Sequence, residues 1–120
     1  MEQRQRWPDK TRYIIAIGTP DGTASVQLEL WNKPQDWDGF NGTAFIWGLW
    51  VDEPIRRQGH ATRLMDRAEQ IAKENGHDAV FLEWSVKESP IEISRWYGRR
   101  GYDEKAFTPG INALMKKELN

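Results

Sequence analysis

Val51-Asp52-Glu53-Pro54-Ile55-Arg56-Arg57-Gln58-Gly59-His60-Ala61 joins an apolar stretch to an amphipathic one, and the rest of the chain is organised around that junction. Upstream, residues 43–51 (TAFIWGLWV) are almost wholly apolar, the pattern of a strand buried on both faces. Gly48 interrupts them, and a glycine inside a strand marks a bulge or a close backbone approach. Downstream, Ala61, Leu64, Met65, Ala68, Ile71 and Ala72 recur at steps of three and four, which gives a helix one apolar face. Glu69 and Lys73 read as a charge pair on its outer face, and Asn75-Gly76 as its stop. A helix that begins at a glycine leaves its first N–H groups without intrahelical partners and with partial positive charge. Gly59 and the small Ala61 permit close approach, so the turn suits a pyrophosphate. Arg56 and Arg57 add mobile charge beside it. A solvated loop capping an amphipathic helix would leave the same pattern.

Working outward from this junction, residues 13–17 (YIIAI) form a short apolar run closed by Gly18 and the turn residues Pro20-Asp21-Gly22. Val26, Leu28 and Leu30 then alternate with Gln27 and Glu29, the period of a half-buried strand, and the two runs read as a hairpin. Residues 33–42, rich in Pro, Asp, Asn and Gly, read as a loop. Residues 1–10 read as a flexible arm, basic through Arg4, Arg6, Lys10 and the following Arg12, with a binding tail as the alternative. On the other side, residues 79–84 (AVFLEW) read as a buried strand, and Ser89-Pro90-Ile91-Glu92 as a capping box with proline at the first helical position. That helix runs through Tyr97 to near Gly101. Residues 102–107 and 111–117, around Thr108-Pro109-Gly110, close the chain as a hairpin. The order is strand, strand, strand, helix, strand, helix, strand, strand, within a single domain over residues 1–120.

Composition narrows the function classes. A chain of 120 residues holds one core. Net charge is −1, so the overall field calls for neither nucleic acid nor an anionic membrane. There is no cysteine, hence no disulfide, thiolate nucleophile or thiolate metal site. His60 and His77 lack a metal-ligand spacing, and no metal is expected. No apolar run approaches the roughly 20 residues that span a bilayer, and polar residues follow Met1, so a cytoplasmic location is expected. Seven tryptophans favour large aromatic packing units without naming a ligand. They also suggest apolar surface left for a symmetric homodimer.

The 51–61 stretch resembles the acetyl-coenzyme A signature of the Gcn5-related N-acetyltransferase (GNAT) family, Arg/Gln-x-x-Gly-x-Gly/Ala, with its preceding valine and acidic-proline segment. Trp96-Tyr97-Gly98-Arg99-Arg100-Gly101-Tyr102 resembles the family's aromatic-Tyr-x-x-x-Gly-Phe/Tyr segment, and Phe81-Leu82-Glu83-Trp84 stands where the family has a Leu-Glu-Val strand. The resemblance covers about residues 43 to 119. It implies an α/β mixed sheet of the acyl-CoA N-acyltransferase fold, in a short form lacking much of the family's N-terminal strand-helix-helix portion. Two departures stand out. Pro90 occupies the place of the family's asparagine, with two extra residues after the Glu83 strand. The helices that wall the acceptor site in relatives have no counterpart before the first hairpin, which leaves that side open, completed by a second subunit, or lost.

The resemblance also implies roles. The strand bearing Gly48 splays from its neighbour, and the main-chain groups of Leu49, Trp50 and Val51 pair with the pantetheine arm. An N–H there polarises the thioester carbonyl. The amides of Arg57, Gln58, Gly59, His60, Ala61 and Thr62 hold the pyrophosphate, beside Arg56. Tyr97 protonates the departing thiolate, unless it is only a core aromatic at helical spacing from Ile93. Glu83 matches the base of some relatives, though strand alternation also allows a structural glutamate there. Asp52 and Glu53 are alternatives placed at the helix entry. The expected function is N-acetyl transfer from acetyl-coenzyme A to a primary amine of a small molecule, peptide or protein. The alternative is a non-catalytic coenzyme A-binding or interaction module.

Overall fold

The computed structural model describes residues 1–37, 40–85, 91–108 and 112–119. The elements run β1 (Glu2–Arg6), β2 (Lys10–Thr19), β3 (Gly22–Trp37), β4 (Phe40–Val51), a 3-10 turn (Glu53–Ile55), α1 (His60–Glu74), β5 (Ala79–Ser85), α2 (Ile91–Arg99), β6 (Asp103–Thr108) and β7 (Asn112–Glu118). The strands form one sheet in the order β1-β2-β3-β4-β5-β7-β6. Every neighbouring pair is antiparallel except β4 and β5, which are parallel because the chain returns through α1. Such a crossover needs a helix-length connection. The element order expected from residue 13 onward is the order found.

Alternation sorts the sheet into two faces. Val26, Leu28 and Leu30 of β3, Ala44 and Ile46 of β4, and Val80 and Leu82 of β5 share one apolar cluster with Leu64, Met65, Ala68, Ile71 and Ala72 of α1. Tyr97 of α2 and the following Tyr102 join the same cluster. Truncating one of these fully buried side chains, such as Leu64, costs about 2–5 kcal/mol. The opposite face carries Phe45, Phe81 and Leu114, which are buried outside that cluster. It also carries Arg12, Trp31 and Trp47, with Lys10 lying over the ring of Trp31 and Arg12 over that of Trp47.

Three local readings are corrected. Residues 2–6 are not a loose arm but an edge strand paired with β2 from Glu2↔Ile15 to Arg6↔Thr11. The Met1 ammonium donates to the Ala16 carbonyl at 2.8 Å, and Arg67 of α1 pairs with Glu2. A strand this polar and exposed is typical of a sheet edge, and only its partner identifies it. Most of residues 33–42 is likewise strand, with Gln35↔Gly42, Asp36↔Asn41 and Trp37↔Phe40 paired. Pro34 is accommodated where the ladder slips between Leu30 and Gln35, because a proline can supply no ladder N–H. Glu69, read as facing solvent beside Lys73, is 8% exposed and bonded elsewhere. The residues of the expected capping box before Ile91 lie outside the described residues.

Candidate active site

The site forms where β4 leaves β5. Their parallel pairing consists of Phe45↔Phe81 and Ile46↔Leu82, while β4 runs on to Val51. On its other side β4 stays with β3, but two residues, Gly48 and Leu49, lie opposite the single Val26 between the pairs Gln27↔Trp47 and Ser25↔Trp50. This is a β-bulge. Gly48 has φ +67°, and a Cβ there would meet nothing nearer than Gln27 Nε2 at 3.6 Å. Backbone conformation, rather than crowding, therefore asks for glycine.

Beyond the bulge, the Asp52 N–H donates to the Thr23 carbonyl at 2.9 Å. Alternation in an antiparallel ladder then turns the main-chain groups of Val51 away from β3, toward the gap, and those of Trp50 back toward β3. Of the two, Val51 is the one that can pair with a molecule in the gap. Its carbonyl already accepts from Arg56 Nε at 2.8 Å. The Arg56 guanidinium also lies over the Trp50 ring, 5.0 Å from its centre. Arg56 is thus folded back against the strand end, whereas the exposed Arg57 makes no side-chain hydrogen bond among the described residues.

The turn itself bends through two left-handed residues, Arg57 at φ 64° and Gly59 at φ 82°. Gly59 is the N-cap of α1 and supplies no side-chain cap, while its carbonyl accepts the Arg63 N–H at 3.1 Å. The N–H groups of His60, Ala61 and Thr62 are therefore orphans of the first helical turn. Uncapped amides, the helix dipole, and the cations Arg57 and Arg63 suit a pyrophosphate. The His60 side chain is buried, with Nδ1 against Arg63 Nη2 and Nε2 without a partner among the described residues. What His60 offers a ligand in this arrangement is its main chain.

Asp52 is not placed as a base. Its carboxylate takes the Thr23 N–H at 2.7 Å and hydroxyl at 3.3 Å, and the Trp50 indole N–H at 3.0 Å. The Thr23 backbone bond first, then that of Trp50, holds its pKa below the usual carboxylate value. It latches β4 to the start of β3. Glu53 is exposed in the 3-10 turn.

Glu83 and Tyr97 lie on opposite faces of the sheet. Glu83 follows Leu82, the last β5 residue paired with β4. Leu82 belongs to the helix-side cluster, so alternation puts half-buried Glu83 on the other face, with Phe81. Tyr97 belongs to the helix side, 7% exposed, its ring edge-on to Trp96 and Tyr102 with centroids 5.1 and 5.6 Å away. Its hydroxyl has no hydrogen-bond partner among the described residues. Burial pushes its pKa up to about 12, slightly opposed by Arg100.

Next to Tyr97, around Tyr102, lies a charged group whose members the sequence did not connect with one another. Glu69 Oε2 accepts the Tyr102 hydroxyl at 2.8 Å, and Glu69 Oε1 accepts Lys117 Nζ at 2.7 Å. Arg100 Nη2 reaches both Glu69 oxygens at 3.2 Å and Asp66 Oδ1 at 2.7 Å. A glutamate at the border of an apolar helix stripe is the one local hint, and it does not name partners 31 to 48 residues away.

The family model described as acetyltransferase (GNAT) matches residues 2–102. Among solved structures, an acetyltransferase from Bacillus cereus ATCC 14579 is similar at TM-score 0.68 and 20% identity, over 91% of this chain and 74% of that one. An acetyltransferase of the GNAT family from Staphylococcus aureus Mu50 is similar at TM-score 0.66 and 17% identity, over 92% and 68%. An N-acetyltransferase from Thermoplasma acidophilum, in complex with coenzyme A, is similar at TM-score 0.61 and 17% identity, over 92% and 61%. At these identities the structures share the fold. No curated protein matches the chain.

Proposed function

This chain belongs to the acetyltransferase (GNAT) family, and from that premise we propose that it passes the acetyl group of acetyl-coenzyme A directly to a primary amine of a small molecule, peptide or protein. Its membership makes it an acetyl-coenzyme A-dependent acetyltransferase. The observation that supports the amine reading is the gap beyond Ile46↔Leu82, with Glu83 next to Leu82 on one sheet face and Tyr97 in the apolar cluster of the other. An acid and a base that serve one opening from opposite faces would suit a direct transfer.

Acetyl-coenzyme A supplies an activated acyl thioester. Val51 and Leu49, at the bulged end of β4, would hold the pantetheine arm, and the amides from Arg57 to Thr62 would hold the pyrophosphate. A main-chain N–H of this strand end polarises the reacting carbonyl, fixed in place before charge develops. An alkyl amine with a pKa near ~10 is protonated at neutral pH and must lose a proton before it attacks. Glu83 takes that proton, directly or through a water.

Tyr97 donates a hydrogen bond to the departing thiolate. With its pKa at about 12, the phenol is roughly 3–4 units less acidic than a thiol near ~8.5. Full proton transfer is therefore uphill by about 5 kcal/mol, and Tyr97 acts as a neutral donor that is ready at every physiological pH. The exposed Trp7, Trp47 and Trp50 support a homodimer, for which light scattering giving a mass near 14 kDa at high concentration would be contrary.

The test is release of free thiol from acetyl-coenzyme A with a panel comprising an alkylamine, a polyamine, an aminoglycoside, an α-amino peptide and a lysyl peptide. At least one should be acetylated on nitrogen, with the rate falling in Glu83→Gln. Binding of coenzyme A without transfer to any amine would reject the reading.

A further inference from the structure

We propose that Tyr102 and Glu69 are positioning residues for Tyr97: a carboxylate on the helix that receives the pyrophosphate fixes, through Tyr102, the ring that serves the leaving thiolate. This rests on the reading of Tyr97 as donor to that thiolate.

The anchoring starts in the backbone. At the end of α2 the Tyr102 N–H donates to the Tyr97 carbonyl at 3.1 Å, and the Gly101 N–H to the Gly98 carbonyl at 3.0 Å. This pair of bonds is a Schellman motif, which brings the residue two past the cap against the residue three before it. Here those residues are Tyr102 and Tyr97, whose rings meet edge-on at 70°. The Tyr97 ring is thus held between Trp96 and Tyr102.

Each of these two neighbours is fixed in turn from α1 or by way of it. Tyr102 donates its hydroxyl to Glu69, and Arg100, whose guanidinium lies over the Trp96 ring at 5.4 Å, is held by Glu69 and Asp66. Burial, and then the adjacent carboxylate, hold the Tyr102 hydroxyl well above its ordinary pKa, so it remains a donor. Among the described residues Glu69 bonds to Arg100, Tyr102 and Lys117 and not to Tyr97; its influence passes through Tyr102 and Arg100. The arrangement explains a buried carboxylate with three donors. Charge neutralisation alone would be met by Arg100 and Lys117, and the tyrosine hydroxyl adds direction.

Two measurements test this. The first uses ligand-free protein labelled with 3-fluorotyrosine. The chain has three tyrosines, so three fluorine signals are assignable by Tyr→Phe variants. Glu69→Leu should broaden or split the Tyr97 signal and leave that of Tyr13 unchanged. An unaltered Tyr97 line in a folded Glu69→Leu protein overturns the proposal.

The second is a double-mutant cycle on thiol release from acetyl-coenzyme A, with n-propylamine as the probe acceptor. Tyr102→Phe keeps the ring and should lower kcat by roughly 3–10-fold, with KM for acetyl-coenzyme A changed less than about twofold. In a Tyr97→Phe background the same substitution should have no further effect, because its only route is through Tyr97. Multiplicative losses, or a Tyr102→Phe enzyme at the wild-type rate, overturn the positioning role. A Tyr97→Phe enzyme at the wild-type rate instead removes the premise, which separates the two failures.

Discussion

Arg56 Nε donates to the carbonyl oxygen of Val51, five positions earlier, across 2.8 Å, closing a loop between the end of β4 and the entry to α1. The bond engages one lone pair of the carbonyl of a strand-end residue whose main chain faces the gap. A ligand that pairs there uses the Val51 N–H, shares the carbonyl with Arg56 or displaces Arg56, while Arg57 is exposed and makes no side-chain bond among the described residues.

Arg57 therefore separates stability from binding. It is a side-chain-bearing residue at φ 64°, a conformation costing about 1–2 kcal/mol outside glycine. Arg57→Gly should raise stability by up to about 1 kcal/mol, part of the strain relief being lost to glycine's greater unfolded-state entropy. It should also weaken coenzyme A binding by roughly threefold through loss of an exposed charge. Denaturant melts and calorimetry on the same variant check both, and a lower melting midpoint contradicts the strain argument.

Gly59 is held at φ 82°, while a Cβ there would meet Arg63 Nη1 at an ordinary 3.7 Å. The cost of Gly59→Ala is thus conformational, about 1–2 kcal/mol. Gly59→Glu adds a carboxylate where phosphate would sit and should abolish binding. Calorimetry on a folded Gly59→Glu protein with wild-type affinity for coenzyme A would exclude this turn as the pyrophosphate site.

Tyr97→Phe should leave coenzyme A affinity nearly unchanged and lower turnover by about 10–100-fold, at or below the low end of the range for a positioned acid, because Tyr97 donates a hydrogen bond rather than a full proton. Because burial holds the Tyr97 pKa at about 12, its ionisation contributes no alkaline limb to the rate profile in the working range. Any limb seen near neutrality must persist in Tyr97→Phe. A limb near pH 8–9 that vanishes in the variant would show that Tyr97 titrates there.

His77 gives a pH dependence of stability rather than of rate. Its Nδ1 lies 2.7 Å from Thr43 Oγ1, and burial lowers its pKa from 6.5, partly opposed by Asp78. The folded state then disfavours the imidazolium, so the unfolded chain binds more protons below 6.5. Stability contributed by neutral His77 is complete above that value and lost as pH falls toward the lowered folded pKa. The urea midpoint should drop between pH 7.5 and 5.5, and drop less in His77→Asn. Equal slopes in the two proteins would remove His77 as the cause.

The residues that encode the fold's frame are those whose chemistry is local. The stripe from Leu64 to Ala72 set α1, Gly59 and Gly76 set its ends, and the apolar run before Val51 set β4. The same local logic marked the turn from Arg56 to Thr62, because an anion site at a helix entry needs only glycine, small residues and cations in order. What the tertiary structure decided depends on partners distant in the chain. Residues 2–6 are a strand because β2 offers an unpaired edge, and 35–37 are a strand because 40–42 lie beside them. Glu69 shows this most clearly. Its spacing to Lys73 fits a solvated helix pair, yet Arg100, Tyr102 and Lys117 arrive from other elements and take it inward. A buried carboxylate is stable only when its donors are in place, and those donors meet only once the sheet and both helices have closed on one another.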